Sequence, residues 1–342
     1  MSFAIARPTS HEHAARLLAD GSYRLPVLKA GGMDVVDHLK ENLIDPDLLV
    51  DVQPLRPDEP GGAIHHIETE NGGRVVFDAS TTMTELAESE VVREHCPVVG
   101  QSVADAATPQ VRNVATAAGN LLQRPRCWYY RRKQFDCLKK GGSTCYAVEG
   151  ENRYHAIFGD GPCYIVHPSN LAPALNVSDG VVHWVNRDGE SHRTPSRDLF
   201  HSPREDVESE HTLPNDAVIT RIEVADRPAS GFYAVKEKQS FDWPLVFACV
   251  QLDLDGDRIE SADVWAGAVA PVPWPLPDVA EALRGVRITD AGAVREACAN
   301  AIRDARPMRD NGYKVKLLPV AIRRAIRRAS GRPAHDLFDG EE

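Results

Sequence analysis

The pattern of hydrophobic and polar positions divides the chain into three segments, and it predicts an α/β structure for the first. It opens with an amphipathic helix whose Thr9 and Glu12 have the spacing of a capping box. Short apolar runs on either side of a second helix then predict a strand at 25–28, a helix at 35–43 and a strand at 48–52. A stretch rich in Pro and Gly follows, so we expect a first subdomain over residues 1–56.

The second segment, expected over residues 57–215, is a second α/β subdomain with an irregular insertion. Its apolar pattern predicts strands near 64–68 and 74–78 and a helix from Thr82 to about His95. Residues 121–165 show little periodicity, which predicts a loop-rich insertion ordered by something other than a hydrophobic core.

The third segment, expected over residues 216–342, begins with strands of alternating polarity and ends in amphipathic helices. The strands start at VITRIEV (218–224), and the last helix is YKVKLLPVAIRRAIRRA (313–329). The expected fold class is therefore α+β, with a two-subdomain α/β part followed by a smaller α+β C-terminal domain.

Composition and charge exclude several classes of protein. The net charge of -11 disfavours binding to nucleic acid, because a phosphate backbone is held by surplus Lys and Arg. No apolar run approaches the roughly 20 residues of a membrane span. The N-terminus lacks the pattern of a secretory signal, so we expect a cytoplasmic protein that binds no membrane.

Two loops of small residues could approach a ligand closely. Residues 30–34 (AGGMD) lie between a predicted strand and a helix, where missing side chains expose backbone N–H groups to a phosphate. Residues 114–121 (VATAAGNL) form a second such run. Each loop alone is more often a simple turn, and neither is the GxGxxG pattern of nicotinamide-binding folds. Their presence in one chain favours a cofactor.

Four of the seven cysteines suggest a metal site. They fall within 37 residues, whereas Cys96, Cys249 and Cys298 have apolar neighbours and read as core residues; the four are Cys127, Cys137, Cys145 and Cys163. Their spacing lacks the CxxC pairs of zinc ribbons and common ferredoxins. Seven Lys and Arg crowd residues 124–140, and such cations would offset the charge of a thiolate site. Iron–sulfur, zinc, and a basic docking surface with incidental cysteines all remain open.

Residues for substrate chemistry are not apparent. Neither GxSxG nor HExxH is present, and no nucleophile or acid/base pair stands out. The pair His65 and His66 shows no metal-ligand spacing with a carboxylate, so we expect these histidines to be solvated or packed. No catalytic residue is predicted in this chain.

Five segments, in order, resemble the FAD-binding medium subunit of the molybdenum hydroxylases, the family of xanthine dehydrogenase, aldehyde oxidase and CO dehydrogenase. They are AGGMDVVDHLK (30–40), TPQVRNVATAAGNLLQRPRCWYYR (108–131), HPSNLAPAL (167–175), FYAVKEKQSFDWPLV (232–246) and GAVAPVPW (267–274). The four cysteines resemble an insertion that carries a [4Fe-4S] cluster in flavin subunits of periplasmic aldehyde oxidoreductase and 4-hydroxybenzoyl-CoA reductase.

The resemblance implies FAD and a [4Fe-4S] cluster as cofactors, and it implies specific residues for each. The cluster ligands would be the four cysteines of the insertion. The FAD-binding residues would be Leu28, Lys29, Ala30, Gly31, Gly32, Met33, Asp34, Val35, Val36, Thr108, Thr116, Ala117, Ala118, Gly119, Asn120, Asn170, Tyr233 and Lys236, with Lys238 as a rival to Lys236. The family usually has Thr at position 33 and Asp at position 170.

The resemblance also implies partners. A large molybdopterin-binding subunit would oxidise substrate, and a small [2Fe-2S] subunit would pass electrons to FAD in this chain and then to an external acceptor. In a reductase of aromatic acyl-CoA the flow would reverse. Two other classes stay open, namely a zinc-stabilised interaction module and a stand-alone flavin oxidase. A partner's export signal could carry the chain to the periplasm.

Overall fold

Three β-sheets and three hydrophobic cores organise the chain, and one of the cores contains residues of both the second and the third sheet. The computed structural model describes residues 2–56, 64–67, 72–238 and 241–334. Helices and sheets are mixed along the chain, and the expected α+β fold class is confirmed.

The first sheet is small and parallel, with strand order β1-β3-β2. Its core is built from Ala14 and Ala15 of the first helix against Leu48 and Val50 of β3. Ser10 caps that helix by accepting the N–H of His13 at 3.1 Å, so the predicted cap at Thr9 is wrong by one residue. The elements are β1 (Ala4–Ala6), α1 (His11–Leu18), β2 (Pro26–Lys29), α2 (Val35–Lys40) and β3 (Leu48–Asp51).

The second sheet is antiparallel, with strand order β4-β5-β8-β6-β7, and helices cover it. The predicted helix over 82–95 is divided in two, because Ser89 has extended backbone and caps the second helix. The strands are β4 (Ile64–Ile67), β5 (Arg74–Asp78), β6 (Val181–Val185), β7 (Ser191–Pro195) and β8 (Val218–Ala225). The helices are α3 (Met83–Glu88), α4 (Glu90–His95), α5 (Pro97–Ala104), α6 (Pro109–Arg112), α7 (Ala117–Leu121), α8 (Trp128–Arg131) and α9 (Leu171–Val177).

Strand β8 pairs with both β5 and β6, so it belongs to the second sheet. The sequence pattern had placed this strand in the C-terminal domain, with the boundary at residues 215 and 216. Alternation of polar and apolar positions identifies a strand but carries no information about its neighbours, and the sheet in fact extends to Ala225.

The third sheet is antiparallel, with strand order β12-β11-β10-β9, and its helices pack on one face. The strands are β9 (Ser230–Lys236), β10 (Pro244–Asp255), β11 (Arg258–Gly267) and β12 (Trp274–Pro275), and the helices are α10 (Pro277–Leu283), α11 (Ala291–Ala299) and α12 (Tyr313–Ala329). No helix among the described residues has the length and apolar character needed to cross a bilayer.

The insertion at 121–165 has little regular structure, as its pattern predicts. It contains α8 and one short 3-10 turn at Leu138–Lys140. Its order comes from side chains of other segments, since Asn311 donates to the carbonyls of His155 and Ala156, and buried Lys314 donates to that of Tyr154.

Candidate functional site

A cavity of about 520 Å³ opens where the first and second subdomains meet. It collects both small-residue loops, although they are some 80 positions apart in the sequence. Of the expected cofactor residues, those lining it are Leu28, Ala30, Gly31, Gly32, Met33, Asp34, Val35, Thr108, Thr116, Ala118, Gly119, Asn120 and Asn170. A volume of this size is typical of a cofactor site.

The two loops touch at Gly31. A Cβ atom at this position would lie 1.8 Å from the carbonyl oxygen of Val114, so only glycine allows the second loop to approach this closely. Gly32 has a φ of +78°, a conformation that side chains disfavour. The glycine pair therefore joins the two walls of the cavity and turns the chain into α2.

The second loop is held by its own polar side chains. Thr116 accepts the N–H of Gly119 at 3.1 Å, and Thr108 accepts that of Val111 at 3.3 Å. Asn120 accepts the hydroxyl of Ser169 at 2.7 Å, which fixes the HPSN segment beside the loop. Asn170 donates its amide to the carbonyl of Ser102, a bond that an Asp carboxylate could not make.

Asp34 connects the first loop to the cysteine insertion. Its carboxylate pairs with Arg131 at 2.7 Å and Arg126 at 3.2 Å, and it accepts the backbone N–H of Arg124 at 2.8 Å. Burial acts to raise the pKa of Asp34, but the Arg131 charge and the hydrogen bonds outweigh it and hold the pKa below its usual value. This carboxylate remains ionised and is neutralised by its arginine partners.

The connection from the first loop to the insertion continues beyond Asp34 through two more side chains, His38 and Tyr130. The Tyr130 hydroxyl lies 3.2 Å from His38 Nε2, and His38 Nδ1 lies 3.6 Å from Asp34. Burial lowers the pKa of His38 to about 4, so the ring is neutral at pH 7. A buried polar chain thus joins α2 beside the cavity to α8 beside Cys127.

Five expected cofactor residues are absent from the cavity lining, namely Lys29, Val36, Ala117, Tyr233 and Lys236. Lys29 pairs with Asp51 at 3.1 Å, and Lys236 pairs with Asp105 at 2.9 Å. The Tyr233 ring packs under the guanidinium of Arg324. Since Asp105 immediately precedes the lining residues Ala106 and Ala107, Lys236 stands behind the wall and supports it.

Several cavity residues carry no signal in the sequence that would mark them as cofactor contacts. They are Ala79 and Ser80 after β5, Val218 and Ile219 at the start of β8, and Phe241 to Pro244. The last group lies within segment 232–246, one of the five that resemble the family. In that segment, Tyr233 and Lys236 were the residues expected to bind the cofactor. Trp243 is half exposed, and the guanidinium of Arg126 lies over its ring, 5.1 Å from the centroid.

The four cysteines of the insertion come together as free thiols. Cys127 lies within electrostatic range of Cys137 and Cys145, and Cys145 shares a hydrogen bond with Cys163. Among the residues that the structure describes, no three of these sulfur atoms lie within 4.8 Å of one another. One zinc ion with Zn–S bonds of about 2.3 Å would draw four sulfur atoms to about 3.8 Å.

Backbone N–H groups point at three of these sulfur atoms. Cys127 receives those of Tyr129 and Tyr130, Cys163 receives that of Ile165, and Cys145 receives those of Ala147, Val148 and Tyr164. At Cys127 burial outweighs these N–H groups and raises the pKa to about 11. The hydrogen bond from Cys163 and the N–H groups lower the pKa of Cys145. Such donors stabilise thiolate ligands.

Four of the seven cations near the cysteines pair with carboxylates of other segments. Arg126 and Arg131 pair with Asp34 and Asp37, and Arg124 and Lys139 pair with Glu210. Lys139 and Glu210 are both buried, which requires that their charges match. These four cations therefore anchor the insertion, and their charge is balanced without an anionic metal centre.

Comparisons with known proteins agree on one family. Residues 1–225 match the model described as the FAD binding domain in molybdopterin dehydrogenase, and residues 231–329 match the CO dehydrogenase flavoprotein C-terminal domain. The chain is 31% identical to the aldehyde oxidoreductase FAD-binding subunit PaoB of Escherichia coli, over 86% of this chain and 89% of that protein.

Two further comparisons cover almost the whole chain. The carbon monoxide dehydrogenase medium chain of Afipia carboxidovorans is 24% identical over 97% of this chain and 98% of that one. A crystal structure of Cu,Mo-CO dehydrogenase superposes with a TM-score of 0.71 at 21% identity, covering 97% of this chain and 99% of that one. The second comparison shows a shared fold.

Proposed function

The chain belongs to the family of FAD-binding subunits of molybdenum hydroxylases, and from that premise we propose that it relays electrons between iron–sulfur centres and an external acceptor. The observation that carries the proposal is the cavity in which both small-residue loops meet. When bound there, FAD supplies the exchange between one-electron and two-electron transfers. No substrate chemistry is assigned to this chain alone.

The cavity residues divide into those that would contact FAD and those that shape the site. Gly31, Gly32 and Ala118 line the two walls with no side chain beyond a methyl group, which suits the close approach of a pyrophosphate. The threonines and Asn120 hold the second loop in position, and Asp34 is neutralised by arginines, so it does not repel phosphate. Lys29 and Lys236 would act by fixing the surrounding wall.

We further propose that Cys127, Cys137, Cys145 and Cys163 hold a [4Fe-4S] cluster. All four are free thiols in one neighbourhood, and N–H groups point at three of them. The four cysteines also resemble the insertion that carries a [4Fe-4S] cluster in flavin subunits of aldehyde oxidoreductase and 4-hydroxybenzoyl-CoA reductase, which supports a cluster over one zinc ion.

The route between the two cofactor sites would run through contacts of Asp34. Arg131 pairs with Asp34 and donates its own backbone N–H to the carbonyl of Cys127 at 2.9 Å. The insertion also begins directly after the second cofactor loop, which ends at Leu121. A cluster in the insertion would therefore stand beside the cavity, as a relay requires.

The proposed partners are a large molybdopterin-binding subunit and a small [2Fe-2S] subunit. The support is indirect: one relative is named a medium chain, and others are named subunits of dehydrogenases. The reacting centre for substrate would lie on the large subunit.

Anaerobic purification followed by absorption spectroscopy and iron analysis tests both cofactors. We expect flavin and about four irons per chain. Cys137→Ser should lower the iron and leave the flavin in place, whereas Cys298→Ala, which changes a core cysteine, should leave both unchanged. Flavin without iron would refute the cluster. Stoichiometric zinc with no yellow chromophore would favour the zinc-stabilised interaction module.

A further inference from the structure

A second group of metal-binding side chains lies at the other end of the five-stranded sheet. His66 on β4, His95 at the end of α4 and Asp226 after β8 place their ligand atoms within 4.8 Å of one another. His95 Nδ1 lies 2.9 Å from Asp226 Oδ2, and His66 Nε2 lies 3.4 Å from the same oxygen. Among the described residues this is the one group of three or more such ligands with this spacing.

This group is separate from the cofactor cavity. Ile219 of the cavity and Asp226 stand at opposite ends of β8, seven residues apart, which corresponds to about 23 Å along an extended strand. The neighbouring strand shows the same division, since Ser80 lines the cavity and Gly73 lies beside the histidines. A metal ion there would not touch FAD.

Backbone contacts fix the three ligand-bearing segments to one another. The N–H of Asp226 donates to the carbonyl of Gly73 at 2.8 Å, and that of Arg227 donates to His95 at 2.7 Å. A Cβ atom on residue 73 would lie 2.3 Å from His66 Nε2, so glycine at this position leaves room for the imidazole. The ligands are therefore brought together by the fold before any ion binds.

The chemistry of this group suits zinc. Two imidazole nitrogens and one carboxylate oxygen are a typical zinc ligand set that leaves a fourth position for water. The side chains are partly exposed, between 17% and 29%, so an ion and its water can enter. Oδ1 of Asp226 is buried and has no hydrogen-bond partner in the described part of the chain, so a second carboxylate oxygen is available.

We propose that His66, His95 and Asp226 bind a zinc ion that fastens the edge of the FAD-binding region to the start of the C-terminal domain. The two rings stack with centroids 3.7 Å apart and planes 12° apart. Zinc would take the place of the two contacts to Asp226 Oδ2, and the rings would turn apart to direct their lone pairs at the ion. Asp226 begins the short connection between residues 225 and 231, where the two family matches meet.

Sequence spacing could not reveal this site, since its ligands come from positions 66, 95 and 226. The competing interpretation is a metal-free group in which His95 is hydrogen-bonded to Asp226 and His66 lies at ion-pair distance from the same carboxylate. The zinc site and the metal-free group predict different outcomes for two measurements, namely whether the holoprotein takes up zinc and which atoms bind the zinc.

The test uses the full chain with its iron and flavin, or the holoenzyme, treated with chelator and then dialysed against 10-fold molar excess of zinc. We expect about one zinc per chain by elemental analysis and a rise of about 2–4 °C in the unfolding temperature. His95→Gln and Asp226→Asn should each lower bound zinc about tenfold and remove the rise. The matched control is His65→Gln, which changes the exposed neighbour on the same strand.

X-ray absorption at the zinc edge identifies the ligands. Nitrogen and oxygen at about 2.0–2.1 Å support the proposal, whereas sulfur at about 2.3 Å would place the zinc at the cysteines and overturn it. Equal zinc in His95→Gln and the unmodified protein, or no uptake by the latter, would also overturn it. Iron and flavin measured on the same samples report separately on the proposed redox function.

Discussion

The cofactor cavity and the cysteine insertion are neighbours that acquire their order in opposite ways. The cavity is walled by the ends of strands and by short capped loops, and two of the hydrophobic cores contribute residues to its lining. The insertion has little regular structure, and it is held from outside by buried ion pairs and by side chains that bind its backbone carbonyls. The cavity is therefore ordered by close approach of its backbone segments, and the insertion is ordered by ion pairs.

Gly31→Ala should produce the largest effect on flavin content and should separate the two regions. The new Cβ would collide with the carbonyl of Val114, so the loops must move apart and flavin content should fall at least about tenfold, a loss of more than about 1.4 kcal/mol in binding. Iron in the insertion should be retained. Gly21→Ala is the matched control, because no atom lies within 4 Å of its added Cβ. Normal flavin in Gly31→Ala would show that the loops can separate freely.

Asp34→Asn should instead weaken both regions at once. Removing this charge leaves Arg131, which is largely buried, with less compensation, and we expect a loss of about 2–3 kcal/mol in the free energy of unfolding. Urea denaturation checks this value, and both flavin and iron should fall. Asp45→Asn removes an exposed partner of Arg24 and should cost at most about 1 kcal/mol. Equal losses in the two variants would contradict a buried ionic link.

Lowering the pH from 7 to 5 should destabilise the structure around the cavity. Burial lowers the pKa of His38 to about 4 and that of His167 to about 3, below the value of about 6.5 in the unfolded chain. The unfolded state therefore binds more protons in this window, and stability that is present above pH 6.5 is lost as the pH falls towards the folded pKa. Each histidine should contribute about 2 kcal/mol at pH 5.

The urea midpoint at pH 7 and pH 5 measures this effect. His38→Gln should reduce the difference between the two midpoints, because Gln does not titrate. If His38→Gln kept the full difference, His38 would not be a source of the acid sensitivity.

Trp243→Leu should give the smallest effect and should report on the mouth of the cavity. The change removes the ring beneath the Arg126 guanidinium, a contact worth about 0.5–1 kcal/mol at a partly exposed site. Flavin affinity should fall about two- to fivefold by equilibrium dialysis, while Trp243→Phe should retain most of it. An unchanged affinity in Trp243→Leu would place the flavin away from this loop.

Much of the site could be predicted from short stretches of sequence. Glycines at 31 and 32 indicated a tight turn near a ligand, and the order of five segments indicated the family, which the comparisons confirm. The cysteine quartet was found as a group because its members are close in sequence, and the cluster that it would hold stays a prediction. Turn residues and thiols act through their own chemistry, so a local pattern is enough to recognise them.

The mixed fold class, the family, the two loops and the irregular insertion could all be predicted from local patterns in the sequence. Contacts between distant segments could not: Asp34 binds arginines up to 97 positions away, Lys236 pairs with Asp105, β8 joins the second sheet, and His66 lies beside Asp226. The difference arises because local patterns act over a short range. Periodicity and glycine placement set the backbone over a few residues, whereas the partner of a charge or a strand depends on which distant segments the fold brings together.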